Sequence, residues 1–301
     1  MVSRPVALVT GSAQRVGRAI VLDLAAHGFD VAVHYRRSRE AAHATVDEAC
    51  SEGIRAQAFE ADLSDEAAAR ALVPAVVAHF GRVDAVVNNA SDFEYDDPAG
   101  FTYARLERQM RANTAPAIVL AQALHEHLAG PALSVESAQG LQPGVRAHLA
   151  SAIAAPAVQD GALPSIPALD SRRGCVVNLL DQKLWNPNPD YFSYTLSKAA
   201  LESATTLLAM SLAPRVRVCG VAPGVTLVSG PMSGEEFERA HRLTPLQRSS
   251  TPEDIARAVR FLIESPAITG TTVLVDGGQH LAGQSRDVLF LAREAAATPA
   301  P

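Results

Sequence analysis

Seven short apolar runs set the strongest limit on what this chain can fold into. They read "VALVT" (6–10), "DVAVHY" (30–35), "RAQAFEA" (55–61), "DAVVNNA" (84–90), "GCVVNLL" (174–180), "VRVCGVA" (216–222) and "TTVLVDG" (271–277). Alternation of apolar and polar residues is largely missing from them. A strand with one wet face alternates, whereas a strand covered on both faces does not. Alanine-rich stretches of helical character lie between, at 15–27, 39–52, 65–80, 103–128, 192–213 and 252–264. Strand, helix, strand repeated in this way predicts an α/β fold: a doubly wound, mostly parallel, seven-stranded sheet with helices on both faces.

Helix starts agree with this reading. Ser64-Asp65 precedes "EAAARAL", and Thr251-Pro252-Glu253 is a capping residue followed by proline at the first helical position. With 301 residues, 48% of them hydrophobic, the chain can bury one large core. We expect a single domain over 1–282. The stretch 129–173, rich in alanine, proline and glycine, breaks the rhythm and reads as an insertion. It enters a strand at its N-terminal end, away from the carboxyl ends where ligands gather in such sheets. A tolerated surface insertion and a role in assembly are both open for it. Residues 283–301 read as a C-terminal tail that frays.

Bulk properties exclude several classes. A net charge of −6 gives no basic face for nucleic acid. Cys50, Cys175 and Cys219 are far apart and odd in number, which suits a reducing cytosol. No signal peptide and no membrane span are visible, so the expected location is cytoplasmic. "HEH" at 125–127 places its histidines on different sides of a helix, and "DFEYDD" at 92–97 lacks calcium-loop spacing. No metal site is expected, and 92–97 reads as a solvated loop.

The turn after the first strand, "VTGSAQRVGRAI", opens a helix. There, backbone N–H groups and the positive end of a helix dipole can meet a pyrophosphate. Gly11 permits the tight turn, and Gly17 lets helix and sheet approach, with Arg15 and Val16 between them. Roughly 20 residues on, an NAD-selective protein usually carries an acidic residue for the ribose hydroxyls. His34, Tyr35, Arg36, Arg37 and Ser38 stand there instead. Cations and hydroxyls suit a 2′-phosphate, so NADP(H) is favoured over NAD(H). Asp62, with Leu63 beside it, ends the third strand, where a carboxylate can accept from an adenine amino group. Asn89, Ala90 and Ser91 end the fourth, with Asn88 and Asn89 read as backbone clamps.

Tyr194 and Lys198 are one helical turn apart and share a face. A nearby ammonium favours a phenolate, which would lower the tyrosine's pKa from ~10 toward the working range. Together with "TGSAQRVG", "NNAS", Asn113 and "APG" at 222–224, this pair resembles the short-chain dehydrogenase/reductase family, over about Val6 to Leu281 without 129–173. The resemblance implies a Rossmann-type domain, catalytic roles for Tyr194, Lys198 and Asn113, and cofactor contacts at Pro223 and Gly224. Lysine would also hold the nicotinamide ribose, and Asn113 would support a proton-relay water.

Two departures point further. Arg15 stands where the family has a third glycine, and Asp181, thirteen residues before Tyr194, stands where it has serine. With "HYRRS" and "NNASDF", these resemble the branch of pteridine reductases and bacterial dihydropteridine reductases. A ketone needs a hydroxyl to polarise its oxygen. A pterin presents ring nitrogens, and the nitrogen that follows a reduced C=N carbon must gain a proton. A carboxyl held in apolar surroundings has a raised pKa and can take part in that transfer. By the resemblance, Phe93 stacks on the pterin, Arg15 reaches phosphate and substrate, and Ser91 and Tyr191 line the pocket. Phe93 read on its own equally suits a hydrophobic plug, and Tyr191 and Trp185 equally suit loop packing. Segment 225–247 reads as a flap over substrate, with Ser229 a candidate contact.

The expectation is an NADPH-dependent pterin reductase. Its rivals are a carbonyl reductase acting on a ketone or 3-oxoacyl thioester, and an NADP-binding sensor without turnover. Alanine-rich helices and the family resemblance imply a homo-oligomer, dimer or tetramer.

Overall fold

The computed structural model describes residues 4–129, 173–228 and 232–297. Nearly all of the proposed insertion, and Ser229, lie outside the described residues. Strands β1 (Val6–Val9), β2 (Asp30–Tyr35), β3 (Ala56–Glu60), β4 (Ala85–Asn88), β5 (Gly174–Leu179), β6 (Val216–Pro223) and β7 (Thr272–Val275) form one parallel sheet. Its order is β3-β2-β1-β4-β5-β6-β7. The chain first winds outward from β1 to β3 and then restarts at β4 on the other side of β1. Helices therefore fall on both faces, and the strand order reverses between β1 and β4.

Burial follows the apolar runs. Every residue of β1, β2, β4 and β5 is buried, while the edge strands β3 and β7 are partly covered. Alternate side chains feed two cores. Val9, Val31, Val33 and Val177 pack against α1 (Arg15–Ala26), α2 (Arg39–Cys50) and α8 (Pro252–Glu264). Val6, Leu8, Val86 and Val176 pack against α3 (Glu66–Phe80) and α5 (Ala115–Ala129). Leu8, Ile20, Leu24, Leu120 and Leu124 are wholly buried. Each such side chain is worth roughly 2 kcal/mol in transfer terms.

Two expectations are corrected and a third is filled in. The helix expected over 103–128 is two helices, α4 (Tyr103–Asn113) and α5. Pro116 has no N–H for the carbonyl of Ala112, so the first helix stops and a second begins. Segment 225–247 contains a regular helix, α7 (Gly234–Arg242), closed by a reciprocal cap between Ser233 and Glu236. That S-x-x-E signature is in the sequence and predicts a helix start. The tail, finally, does not fray over its described part. Helix α9 (Val288–Ala297) buries Val288, Leu289 and Ala292, with Val288 and Ala292 packed beside Ala240 of α7. Among the described residues no helix is long and apolar enough to cross a membrane.

Candidate active site

Two neighbouring cavities lie where the strand order reverses, and Arg15, Val16 and Ser91 form walls of both. The first, of about 400 Å³, runs from the turn after β1 to the end of β2. Gly11 sits at φ +60°, and a Cβ on it would lie 2.9 Å from the Ala90 Cα. A Cβ on Gly17 would lie 2.5 Å from the Gly11 carbonyl and 2.6 Å from Asn89 Nδ2. Only glycine lets α1 come this close to the turn. Asn89 Nδ2 donates to the carbonyls of Thr10 and Gly11, so its reading as a clamp holds. Asn88 instead donates to Asn178 on β5. Gln14, the N-cap of α1, makes no side-chain capping bond, which leaves the first-turn N–H groups facing the cavity end without a capping side chain.

His34 lines this cavity, but both ring nitrogens are used inside the fold. The Gly11 N–H donates to Nδ1 at 3.0 Å, and Nε2 lies 3.1 Å from the Ala61 carbonyl. Burial lowers its pKa to about 4, so the ring is neutral, with hydrogen on Nε2. His34 therefore sets the glycine turn. Arg36, Asp62, Leu63 and Ala90 are wall residues as expected. The hydroxyl and N–H of Ser64 hold the Asp62 carboxyl below its ordinary value. Tyr35, Arg37 and Ser38 are not in this wall, although the Arg37 charge acts on Asp62 within it. Strand alternation turns Tyr35 away from His34, and its hydroxyl donates to Glu60. Pro223, paired with Val275 at the end of β6, is in neither wall, and Gly224 lines the second.

The second cavity, of about 300 Å³, holds Asp181, Tyr194, Phe93 and Tyr191. Asp181 follows the end of β5, and Tyr194 is in the first turn of α6 (Phe192–Leu212). The Tyr194 hydroxyl donates to Asp181 Oδ2 at 2.9 Å, and the Lys183 N–H donates to Oδ1 at 2.9 Å. Enclosure by protein pushes the Asp181 carboxyl up, against the opposing pull of those donors and of the Lys183 and Lys198 ammonium groups. Burial pushes the Tyr194 phenol well above its ordinary value, and the Asp181 charge adds to this. The expected lowering of the phenol by Lys198 is thus corrected. Lys198 Nζ donates to the Leu179 carbonyl at 2.7 Å and lies 5.7 Å from the Tyr194 ring centroid. Its own pKa falls to about 8 through burial. At rest the Tyr194 phenol keeps its proton and donates it in a hydrogen bond to Asp181.

Asn113 lies behind this site rather than in its wall. Its amide donates to Ser197, Gln109 and the Asp92 carbonyl, while its oxygen accepts from Ser91 and the Asp92 N–H. The side chain organises the loop after β4, and its hydrogen bonds go to that loop, to α4 and to α6. Phe93 stacks on Tyr191 at 4.2 Å and 15°, and meets Tyr194 edge-on at 4.7 Å. It is 42% exposed, so it is a cavity wall and not a sealed plug. Trp185 does not line the cavity. Arg15, held at φ +58°, donates to the Val228 carbonyl and so links the glycine turn to segment 225–247.

Three residues escaped the sequence reading. Asp96, placed there in a solvated loop, is 3% exposed. Its carboxylate accepts from the N–H and hydroxyl of Ser193 and so caps α6. Lys183 and Asp287 form an ion pair at 3.3 Å in the cavity wall. They are 104 residues apart, and no local pattern connects them.

Comparison with known proteins agrees with this geometry. The family model described as short chain dehydrogenase matches residues 5–152, and that described as Enoyl-(Acyl carrier protein) reductase matches 145–280. Pteridine reductase 1 of Leishmania tarentolae is 34% identical, over 92% of this chain and 96% of its own. A 3-oxoacyl-(acyl-carrier-protein) reductase of Staphylococcus aureus is 30% identical, over 91% and 98%. The structure of FolM alternative dihydrofolate reductase 1 from Brucella canis, complexed with NADP, superposes with a TM-score of 0.74 at 35% identity, covering 94% of this chain and 96% of that one. A parallel sheet in this order, a glycine turn on β1 and a tyrosine and lysine one turn apart on α6 thus coincide with full-length likeness, and the chain belongs to the short-chain dehydrogenase/reductase family.

Proposed function

We propose that this protein is an NADPH-dependent reductase that delivers hydride to a pterin, saturating a ring C=N bond and protonating its nitrogen. The observation that carries this reading is the 2.9 Å hydrogen bond from Tyr194 to Asp181 inside the second cavity. A carboxyl in that place offers a proton and an acceptor to ring N–H groups, where a ketone would need only a hydroxyl donor.

The first cavity suits a dinucleotide. Glycine is obligatory at the two closest approaches, the α1 terminus lacks a side-chain cap, and Arg36 stands at the far end to pair with a 2′-phosphate. The Brucella protein is complexed with NADP, which supports the same cofactor here. Bound there, NADPH supplies the hydride. Arg15 and Ser91, common to both cavities, orient the substrate against it, and Phe93 and Tyr191 offer an aromatic surface to a flat ring. Tyr194 would then give its proton to the substrate nitrogen, and the phenolate left behind would regain a proton from solvent by way of Asp181. Lys198, fixed by the Leu179 carbonyl, holds the ribose. The likeness to pteridine reductase 1 and FolM supports a pterin. The likeness to an oxoacyl reductase supports a thioester, and the aspartate decides between them in our reading.

The expected setting is the cytoplasm. Leu207 and Met210, exposed on α6, offer an apolar face for self-association as a dimer or tetramer. The decisive experiment compares NADPH oxidation with dihydrobiopterin and with acetoacetyl thioester. Faster turnover of the thioester would overturn the pterin assignment.

A further inference from the structure

The mechanism above does not use the ion pair of Lys183 and Asp287, although both residues line the substrate cavity. The Lys183 side chain is 4% exposed, and a buried ammonium of this kind stands only with a partner. Asp287 supplies it from the C-terminal segment. Asp190 in turn fixes that segment, accepting from Arg286 Nε at 2.8 Å, Arg286 Nη2 at 3.0 Å and the Asp287 N–H at 2.7 Å. The second oxygen of Asp287 accepts from the Leu289 N–H. Lys183 also lies 5.4 Å from the centroid of the Tyr191 ring. Its backbone N–H holds the Asp181 carboxylate. One residue therefore binds Asp181 by its backbone and the C-terminal segment by its side chain.

We propose that Lys183 and Asp287 are positioning residues whose mutual neutralisation sets the proton affinity of Asp181, so that the C-terminal segment controls the proton-delivery pair. This rests on the reductase reading of the cavity for its purpose, though not for its test. Asp181 meets the Tyr194 hydroxyl, and the cations acting on it are Lys198 from α6 and Lys183 beside it; Asp287 reaches it through its ion pair with Lys183, and Asp190 pairs with Arg286 and holds the Asp287 N–H. Removing the Asp287 charge leaves an uncompensated ammonium near Asp181, which favours the carboxylate. Removing Lys183 leaves an uncompensated carboxylate, which favours the protonated form. One such neighbouring charge shifts a buried titration by on the order of one pH unit.

The test is a carbon-13 NMR titration of the aspartate carboxyls in the full chain, with Asp181→Asn to assign the signal. The Asp181 midpoint is expected to fall in Asp287→Asn, rise in Lys183→Met, and stay near the parent value in Lys183→Arg, which keeps the charge. Movement in the same direction in the first two variants, or no movement in either, overturns the proposal. A purely structural role would broaden or unfold the protein without opposite shifts. If one variant fails to fold, the sign in the other still decides. Opposite shifts in a protein that consumes no NADPH with any pterin would sink the functional reading and leave this one standing.

Discussion

The phenolic oxygen of Tyr194 donates to Oδ2 of Asp181 across 2.9 Å, so the proton of one group is tied to the charge of the other. Both are pushed above their ordinary values by enclosure. The Tyr194 phenol therefore keeps its proton through neutral pH and loses it only as pH rises. Pterin reduction is expected to be flat on the acid side, within the folding range, and to decline at alkaline pH. Asp181→Asn cannot supply a proton, and we expect kcat to fall by ~10²–10⁴, the range for one acid–base group. Asp181→Ser should lose pterin turnover as well. Steady-state kinetics across pH check both, and a serine variant that outperforms the parent would remove the role given to the carboxyl.

Lys198 makes a separate prediction about stability. Its folded pKa is depressed to about 8 from 10.5, so folding favours the neutral amine. A group of this kind contributes most above its unfolded pKa, and the contribution is lost as pH falls through the folded one. At pH 7 the buried ammonium is a liability of about 3 kcal/mol. Lys198→Met is therefore expected to be inactive yet no less stable than the parent at pH 7, with its relative advantage shrinking between pH 8 and pH 10. The orphaned Leu179 carbonyl subtracts part of the gain, on the order of 1 kcal/mol. Thermal unfolding of the two proteins at pH 7, 8.5 and 10 checks the trend; an advantage that grows with pH contradicts it.

Much of this site is legible in the sequence because its chemistry is local in the chain. Gly11 and Gly17, Tyr194 and Lys198, and Asp181 with Tyr194 are each separated by spacings that a turn or a helix converts directly into proximity. The parallel sheet is legible for a similar reason, since unbroken apolar runs admit few other arrangements. What the sequence hides is long in range or dependent on direction. Asp96 reads as one more acid in "DFEYDD", and only the folded loop turns it inward to Ser193. Tyr35 and His34 are neighbours, yet the pleat sends one into the first cavity wall and the other to Glu60. The sign of the shift at Tyr194 also depends on burial, which a count of nearby charges leaves out.

Cofactor preference should reside in Arg36. Of the five residues at the end of β2 and after it, His34 and Arg36 are the ones in the first cavity wall, and His34 is spent on the turn. A charge-assisted bond to a phosphate is worth ~1.5–3 kcal/mol. Arg36→Ala is expected to lower kcat/KM for NADPH by roughly 10–100-fold while changing that for NADH little. Tyr35→Phe, which touches Glu60 and no cavity, should leave the NADPH preference intact. An unchanged preference in Arg36→Ala would move the phosphate site elsewhere.

Asp96 fixes where the helix bearing Tyr194 begins. The residue before α6, Tyr191, is left-handed at φ +53° and makes no side-chain cap, so the helix cannot close its own first turn. Asp96 does so from the loop after β4. One carboxylate oxygen accepts from the Ser193 N–H at 2.9 Å, the other accepts from the Ser193 hydroxyl, and the Asp96 carbonyl accepts from the Phe192 N–H at 3.2 Å. The same loop carries Phe93, which packs on Tyr191 and Tyr194, so cap and cavity wall move together. Replacing Asp96 by alanine strands two buried donors, at a cost of about 2 kcal/mol. For a chain of 301 residues that is a fall in Tm of roughly 3–4 °C. Asp96→Asn keeps an oxygen for the Ser193 N–H and should recover about half. Turnover with pterin should drop more in the alanine variant than NADP affinity does, because Asp96 fixes the start of the helix that carries Tyr194, whereas the first cavity also rests on the glycine turn after β1 and on the end of β2. Calorimetry with parallel cofactor titration measures both, and equal losses in Tm for alanine and asparagine would mean that the carboxylate acts by charge alone.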